Sequence, residues 1–210
     1  MKVYVQQYCA LGRQYLLIKS IYMMAENAAH NRRSIDEKQT TGGARMIAII
    51  DYDAGNIKSV EKALHYLGEE TVVSRDPQVL LSADKVILPG VGSFGDAMNN
   101  LNKFGLVPVI RELTEKGTPF LGICLGLQLL FESSDETPGV EGLGILKGKI
   151  VKIPSAPGLK IPHMGWNSLH LQNDGRLFKG IPEETYVYFV HSYYLQAKEP
   201  EIVKATAQYG

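Results

Sequence analysis

The stretch PFLGICLGLQ, residues 119–128, carries the pattern that decides the fold. Its first five residues form a short apolar run, which is typical of a strand buried on both faces of a sheet. A helix is predicted over residues 125–132. Between strand and helix, Cys124 lies two residues from Gly122 and two from Gly126, the spacing of a nucleophile elbow. Glycines at these places let a strand and the following helix approach closely around a strained turn that projects the side chain between them.

The same alternation of buried strand and helix extends on both sides of the elbow. Upstream, the pattern predicts strands at residues 46–51, 71–74 and 85–88, a helix capped by Asn56, and a helical stretch over 96–116 broken near 105–108. Short connections between alternating strands and helices indicate a parallel sheet with helices on both faces. The sequence after about Gly142 is rich in strands, predicted at 149–153, 166–171, 185–196 and 202–209. The fold class is therefore α/β, with a mostly parallel sheet and a strand-rich C-terminal half.

The composition changes near residue 45. Residues 1–45 hold seven Lys and Arg against three Asp and Glu, and the remaining 165 residues hold fifteen against nineteen. All ten prolines also follow residue 45. We therefore predict two parts, an N-terminal extension over 1–45 that is disordered or a loose helix, and a domain over 46–210. Cys9, in the extension, is interpreted as a bystander, and a secretory signal peptide is not predicted.

The overall composition excludes several classes of protein. The 210 residues carry a formal net charge of zero, which gives no reason to expect nucleic acid as a partner. No apolar run approaches the ~20 residues of a membrane span, so no membrane partner is expected. Two cysteines do not make a disulfide scaffold, and a reducing compartment, the cytoplasm, fits them best.

Cys124 has two interpretations at this stage. As a nucleophile, it lies near a helix N-terminus, where the helix dipole lowers a thiol pKa, and the N–H of Leu125 is placed to receive an oxyanion. The glycine cluster of residues 89–92 also follows a strand, and it can present a further backbone N–H to the same crevice. The alternative is a small buried core residue, because free cysteine is among the most buried residue types.

Five motifs carry a resemblance to a known family. IAIIDYDAGN, PGVGSFGDAM, GICLGLQLLFESSDE, PHMGWN and YFVHSYY occur in this order between Met46 and the end of the sequence. Together they resemble the glutamine amidotransferase (glutaminase) subunits of imidazole glycerol phosphate synthase, within the class I triad glutamine amidotransferases. The resemblance implies a flavodoxin-like parallel sheet, hydrolysis of the side-chain amide of glutamine, and neither cofactor nor metal.

The resemblance also implies roles for particular residues. Cys124 is the implied nucleophile that forms a glutamyl thioester, and the backbone N–H groups of Val91 and Leu125 are the implied oxyanion hole. The residues implied to bind the substrate are Gly90, Gly92, Gln128, Glu136, Ser192 and Tyr193.

The implied partner is a cyclase subunit with a TIM-barrel fold, in a heterodimer. It uses the ammonia in histidine biosynthesis, making imidazole glycerol phosphate and an aminoimidazole carboxamide ribonucleotide (AICAR). The residues implied to face this partner are Asn56, His163, Met164, Trp166 and Asn167. Core packing is the alternative for Trp166, and helix capping is the alternative for Asn56 and its neighbours.

The sequence departs from the family pattern in one respect. The family supplies the base and its orienting acid from a late His-Pro-Glu segment, and none of the five histidines here is followed two positions on by an acidic residue. The expectation is a domain incomplete at its C-terminus, with impaired catalysis. His191 is interpreted as structural rather than as a substitute base. Two alternatives stay open: a non-catalytic docking subunit, and another hydrolase or peptidase with a cysteine elbow.

Overall fold

The computed structural model describes residues 46–172 and 176–210, together with the backbone of residues 3–6. Its centre is a five-stranded sheet in the spatial order β1-β5-β4-β2-β3, in which every neighbouring pair is parallel. The strands are β1 Val3–Gln6, β2 Met46–Ile50, β3 Glu70–Ser74, β4 Lys85–Leu88 and β5 Phe120–Ile123. The predicted parallel α/β sheet is confirmed.

Helices cover both faces of this sheet because its central strands are apolar at every position except Lys85, the first residue of β4. Ile47 and Ile49 of β2 face helix α1, Ile57–Tyr66, where they pack with Leu64. Ala48 and Ile50 face the opposite side and pack against three further helices. These are α2 Pro77–Ser82, α3 Phe94–Lys103 and α4 Leu106–Glu115. Alternate residues of one strand thus contribute to two separate cores.

The predicted break in the second helical stretch lies between α3 and α4. Gly105 takes a left-handed conformation there, with φ of 66°. Pro108 does not break the helix, because it is the third residue of α4, in the first turn, where a missing N–H costs no intrahelical hydrogen bond. The turn is therefore made by the glycine.

The segment before Met46 contributes one edge strand that the sequence analysis did not predict. The backbone of β1 pairs in parallel with β5, with Gln6 opposite Ile123. These four residues are strand, whereas the extension was predicted to be disordered or a loose helix. The remaining residues up to 45 lie outside the described part of the chain, so the prediction for them stays a prediction.

The C-terminal half forms three small sheets. The first joins β6 Ser133–Ser134, β7 Gly148–Lys152 and β11 Tyr193–Ala197. The second joins β8 His163–Ser168 to β10 Tyr186–His191. The third joins β9 His170–Leu171 to β12 Ala205–Thr206. The predicted strand over 185–196 is divided in two by Ser192. The strand predicted over 202–209 is limited to β12, since a 3-10 turn occupies Pro200–Ile202.

The loops that bear the predicted site meet at one edge of the parallel sheet. Strand β2 lies between β3 and β4, so the connections leaving β2 and β4 run in opposite directions across the sheet. Such a switch point opens a crevice beyond the carboxyl ends of the strands. Within the described ranges, no helix is long and apolar enough to cross a membrane.

Candidate active site

Cys124 forms the turn between β5 and a short helix, α5, Leu125–Gln128. Its backbone has φ of 55° and ψ of −115°, in a region that residues with a side chain rarely adopt. The side chain is partly buried and packs against the core on the α1 side of the sheet. Strain of this kind persists only where the surrounding structure enforces it, and it is concentrated at functional sites. The predicted elbow is therefore present, and Cys124 is not a fully buried core residue.

The two glycines of the elbow are needed because the backbone is crowded around them. A Cβ built on Gly122 would lie 2.7 Å from the Cα of Leu127. A Cβ on Gly126 would overlap the carbonyl oxygen of Leu88, at the end of β4. These contacts confirm that the glycines allow the close approach of strand and helix.

The glycine loop, residues 89–93, lies directly against the elbow. A Cβ on Gly90 would meet the nitrogen of Gly126 at 2.5 Å and the Cβ of Leu125 at 2.9 Å. Val91, in the middle of the loop, is half exposed, and Gly92 has φ of 97° with open space around it. The structure thus brings the two predicted oxyanion residues, Val91 and Leu125, to the same crevice. Their role as an oxyanion hole stays a prediction.

Helix α5 is shorter than predicted. It ends at Gln128 rather than 132, and 3-10 type hydrogen bonds follow it, such as the one from the Phe131 N–H to the Gln128 carbonyl at 3.1 Å. The amides of Leu127 and Gln128 both donate to the carbonyl of Cys124, at 3.0 and 3.3 Å. The helix therefore begins at the cysteine itself, as the elbow interpretation requires.

The predicted substrate-binding side chains lie in different surroundings. Gln128 is buried in α5. Glu136 accepts a hydrogen bond from the Phe94 N–H at 2.8 Å, so its carboxylate anchors the start of α3. Ser192 and Tyr193 lie where β10 passes into β11, and the carbonyl of Ser192 accepts from Ile153 at 2.9 Å. Substrate binding by these four residues stays a prediction, and for Glu136 the structure adds a helix-anchoring contact.

His163 and His191 form a hydrogen-bonded pair between β8 and β10. The Nδ1 of His163 is 3.0 Å from the Nε2 of His191, and the Nδ1 of His191 is 2.9 Å from the carbonyl oxygen of Tyr193. A carbonyl only accepts, so the His191 proton is on Nδ1, and neutral His191 accepts from His163 at Nε2. The ring of His163 also stacks on Tyr209, with centroids 3.7 Å apart.

The surroundings of the two histidines disfavour the charged imidazolium. Burial, with a smaller effect from the charge of His191, lowers the pKa of His163 below its ordinary 6.5. Burial also lowers the pKa of His191, against the opposing effect of the Tyr193 carbonyl. Both rings therefore favour the neutral state. They line a mostly apolar cavity of about 420 Å³, which also includes Leu127 and Phe131 from the segment after the elbow.

The residues predicted to face a partner lie mainly on β8. Met164 and Trp166 are 61% and 50% exposed, and Trp166 has an edge-to-face contact with Tyr188 of β10. Core packing, the alternative for Trp166, is wrong at this exposure. Asn167 donates to the carbonyl of Gln208 at 2.7 Å, and His163 is buried in its pair.

Asn56 occupies the N-cap of α1, but its side chain makes no capping hydrogen bond. The capping prediction for its side chain is therefore wrong. Its φ of −87° and ψ of 62° lie outside the extended region in which a side chain usually reaches back to the first helical amides.

Sequence reasoning missed the residues that fix the loop after β2. Tyr52 is fully buried, and its hydroxyl donates to the Pro89 carbonyl at 2.7 Å. Its neighbours Asp51 and Asp53 both bind Arg75, at 2.7 and 2.6 Å. Burial raises the pKa of Asp51, but the hydrogen bond and charge of Arg75 and the hydrogen bond from the Asp53 N–H together outweigh it and hold that pKa below the ordinary range. The sequence did contain one signal for Tyr52. It is an aromatic residue that directly follows a predicted buried strand, at the edge of the sheet where the site was expected.

Within residues 46–172 and 176–210, no cluster of His, Cys, Asp and Glu side chains could hold a metal ion.

Comparison with known proteins places these features in a family. The family model described as "Glutamine amidotransferase class-I" matches residues 48–209. The chain is 54% identical over 166 residues to the imidazole glycerol phosphate synthase subunit HisH of Moorella thermoacetica, covering 79% of this chain and 78% of that protein. It is 52% identical over 163 residues to the subunit of the same name from Aquifex aeolicus, covering 77% and 78%.

A solved structure shares the fold at much lower sequence identity. A crystal structure of a glutamine amidotransferase superposes with a TM-score of 0.56 at 19% identity, covering 73% of this chain and 74% of that one. This likeness concerns the arrangement of the strands and helices.

Proposed function

Because this chain belongs to the class-I glutamine amidotransferases, we propose that it is the glutaminase subunit of an imidazole glycerol phosphate synthase. In this role it hydrolyses glutamine to glutamate and ammonia in the cytoplasm. The ammonia passes to a cyclase subunit, a TIM barrel, for the synthesis of imidazole glycerol phosphate and AICAR in histidine biosynthesis. The names of relatives about half identical to this chain support the assignment.

The observation that carries the proposal is the strained backbone of Cys124 at the junction of β5 and α5. In the proposed reaction the thiolate attacks the side-chain carbonyl carbon of glutamine. The C–N bond then breaks, ammonia leaves with the proton that the Cys124 thiol lost when it ionised, and a glutamyl thioester remains on Cys124. Water attacks this thioester and releases glutamate and the thiol.

The tetrahedral intermediates of this reaction carry a negative oxygen. We assign its stabilisation to the backbone N–H groups of Val91 and Leu125, whose residues lie on either side of the contact between the glycine loop and the elbow. Gly90, Gly92, Gln128, Glu136, Ser192 and Tyr193 are proposed to form the substrate pocket around them.

The exposed apolar side chains of β8 are proposed to contact the cyclase. Met164 and Trp166 present large apolar surface on the same strand, and large exposed side chains of this type are enriched at the centres of protein interfaces. Asn56, His163 and Asn167 complete the proposed partner-facing set.

A docking role without turnover is the second candidate function. It is favoured by the contacts that hold His191. His191 is held by His163 and by the Tyr193 carbonyl, contacts that suit a structural histidine better than a base for Cys124.

The test is glutamate release from glutamine by the purified chain, alone and with its cognate cyclase subunit. Cys124→Ala removes the proposed nucleophile, and Cys9→Ala is the matched control, since it removes the other thiol. The glutaminase proposal predicts turnover that the cyclase stimulates, that Cys124→Ala abolishes, and that Cys9→Ala leaves unchanged.

Three other outcomes separate the alternatives. Binding to the cyclase without turnover would support the docking role. Neither binding nor turnover, or turnover that survives in Cys124→Ala, would contradict the proposed function.

A further inference from the structure

The glycine loop, residues 89–93, is fixed at both of its ends and open in the middle. At its start, the Pro89 carbonyl accepts the hydrogen bond from the Tyr52 hydroxyl at 2.7 Å. Directly after its end, the Phe94 N–H donates to the carboxylate of Glu136 at 2.8 Å. Between these anchors, Val91 is half exposed and Gly92 has open space around it. The direction of the Val91 N–H therefore depends on how the anchors hold the flanking peptides.

Tyr52 acts on the peptide next to the one that carries the Val91 N–H. The carbonyl that it binds belongs to the peptide joining Pro89 to Gly90, and the following peptide joins Gly90 to Val91. A Cβ on Gly90 would lie 2.9 Å from the Tyr52 hydroxyl oxygen and 2.5 Å from the Gly126 nitrogen. The hydroxyl thus lies in the small space between the glycine loop and the elbow. A shift of the loop would therefore change the contacts of this hydroxyl.

The backbone around Tyr52 is itself held in place. Arg75 binds the carboxylates of Asp51 and Asp53, one on each side of the tyrosine, and its guanidinium lies 4.1 Å from the ring centroid of Phe104. Further along the same loop, a Cβ on Gly55 would lie 3.2 Å from the Cβ of Pro89. The loop after β2 therefore supports the glycine loop at two places, through Tyr52 and through Gly55.

The phenol can keep this hydrogen bond while the thiol ionises. Burial, with a further effect from the charge of Cys124, raises the pKa of Tyr52 well above its ordinary value of 10. The hydroxyl therefore remains protonated and continues to donate to Pro89 over the pH range in which a thiolate forms.

From these contacts we propose that Tyr52 is a positioning residue that aims the Val91 N–H at the oxyanion, acting through the carbonyl of Pro89. This role rests on the proposed function, since it requires that Cys124 attacks a carbonyl carbon. In the proposed reaction Tyr52 acts through the Pro89 carbonyl rather than by binding the substrate. Loss of its hydroxyl should impair only reactions in which an oxyanion forms.

The experiment compares two reactions of Cys124 in the full chain. Acylation by p-nitrophenyl acetate passes through a tetrahedral oxyanion and releases a measurable nitrophenolate, whereas alkylation by iodoacetamide displaces iodide without forming an oxyanion. The rate measured with Cys124→Ala is subtracted in both, so that Cys9 does not contribute. Neither reaction needs the cyclase subunit or a proton donor for a leaving ammonia.

We expect Tyr52→Phe to slow the acylation about tenfold, a fraction of the loss seen when an oxyanion donor is removed outright, and to change the alkylation less than about twofold. Tyr186→Phe, which alters an exposed tyrosine of β10, should change neither rate. Gly55→Ala is a second variant, which keeps the Tyr52 hydroxyl but presses a methyl group on Pro89 and strains the loop at φ of 109°. It should show the same selective loss of acylation. A thermal melt verifies that each variant is folded.

Equal slowing of both reactions, or unchanged acylation in folded Tyr52→Phe, would overturn the positioning role while leaving Cys124 as the nucleophile. A parent chain whose acylation does not exceed that of Cys124→Ala would instead overturn the nucleophile assignment, and the role of Tyr52 with it. The two failures are therefore distinguishable.

Discussion

Gly126 packs so tightly against the carbonyl oxygen of Leu88 that a Cβ at position 126 would overlap it. This single contact joins the first turn of α5 to the end of β4, and it fixes the distance between the cysteine elbow and the glycine loop. A change in this contact should affect the stability of the fold and the geometry of the site together.

Gly126→Ala should lower the free energy of unfolding by about 1–3 kcal/mol or more, because the added methyl group forces backbone apart in a filled region. Gly139→Ala is the control. It has a positive φ of 87° but open space around it, so it tests backbone strain without crowding. Urea denaturation measures the free energy of unfolding of both variants. A smaller loss of stability in Gly126→Ala than in Gly139→Ala would contradict the crowding argument.

The free energy of unfolding of Cys124→Gly should exceed that of Cys124→Ala by about 1 kcal/mol, because glycine relieves the backbone strain at φ of 55°. The greater conformational freedom of glycine in the unfolded chain offsets only part of this gain. Both variants lack the thiol, so the comparison isolates the backbone. The free energy of unfolding from urea titrations is the measurement. Higher stability of the alanine variant would mean that the elbow is not strained.

The histidine pair predicts a loss of stability in mild acid. Both folded-state pKa values are lowered, so the unfolded chain binds more protons between the folded values and the ordinary 6.5. This contribution to stability is complete above about pH 6.5 and is lost as the pH falls through the folded pKa values. Protonation of His191 at Nε2 also removes its acceptor for the His163 N–H.

Urea denaturation from pH 5 to pH 8 measures this effect. His191→Gln should flatten the fall in stability below pH 6.5, because it removes one of the two rings whose pKa values are lowered. An equally steep fall in His191→Gln would exclude the pair as its source.

Trp166→Ala should weaken cyclase binding by tenfold or more while changing the free energy of unfolding by less than about 1 kcal/mol, since half of the side chain is exposed in the isolated chain. Tyr66→Ala, at the end of α1, is the matched control, as its 75% exposed ring lies at the other end of the sheet from the site. Binding is measured by titration calorimetry. Equal losses in both variants would argue against β8 as the docking surface.

The sequence predicted the parallel sheet and the elbow because both follow from local patterns. The runs of β2, β4 and β5 are apolar at every position after Lys85, the first residue of β4, which indicates burial on both faces. The two glycines around Cys124 occur at the spacing that a tight turn from strand to helix requires. Both patterns can be recognised from residues that are neighbours in the sequence.

The sequence did not predict β1, the shortness of α5 or the missing side-chain cap at Asn56. Each depends on a partner far along the chain or on the path of the backbone. Val3–Gln6 is a strand because β5 offers a parallel edge more than a hundred positions away. Directly after α5, the carbonyls of Leu129 and Leu130 accept from the distant amides of Leu143 and Leu146 instead of continuing the helix. Local propensity carries no information about such contacts.

By itself, therefore, the sequence determined the fold class, the cysteine elbow and the family, because apolar periodicity, glycine spacing and motif order are local features of the chain. Only the tertiary structure decided three hydrogen bonds. The Tyr52 hydroxyl donates to the Pro89 carbonyl, the Glu136 carboxylate accepts from the first amide of α3, and His163 donates to His191. The residues in each pair are 28 to 42 positions apart in the sequence. A side-chain hydrogen bond over such a separation depends on how the strands and helices pack, because packing sets the distance between donor and acceptor, and neighbouring residues do not determine it.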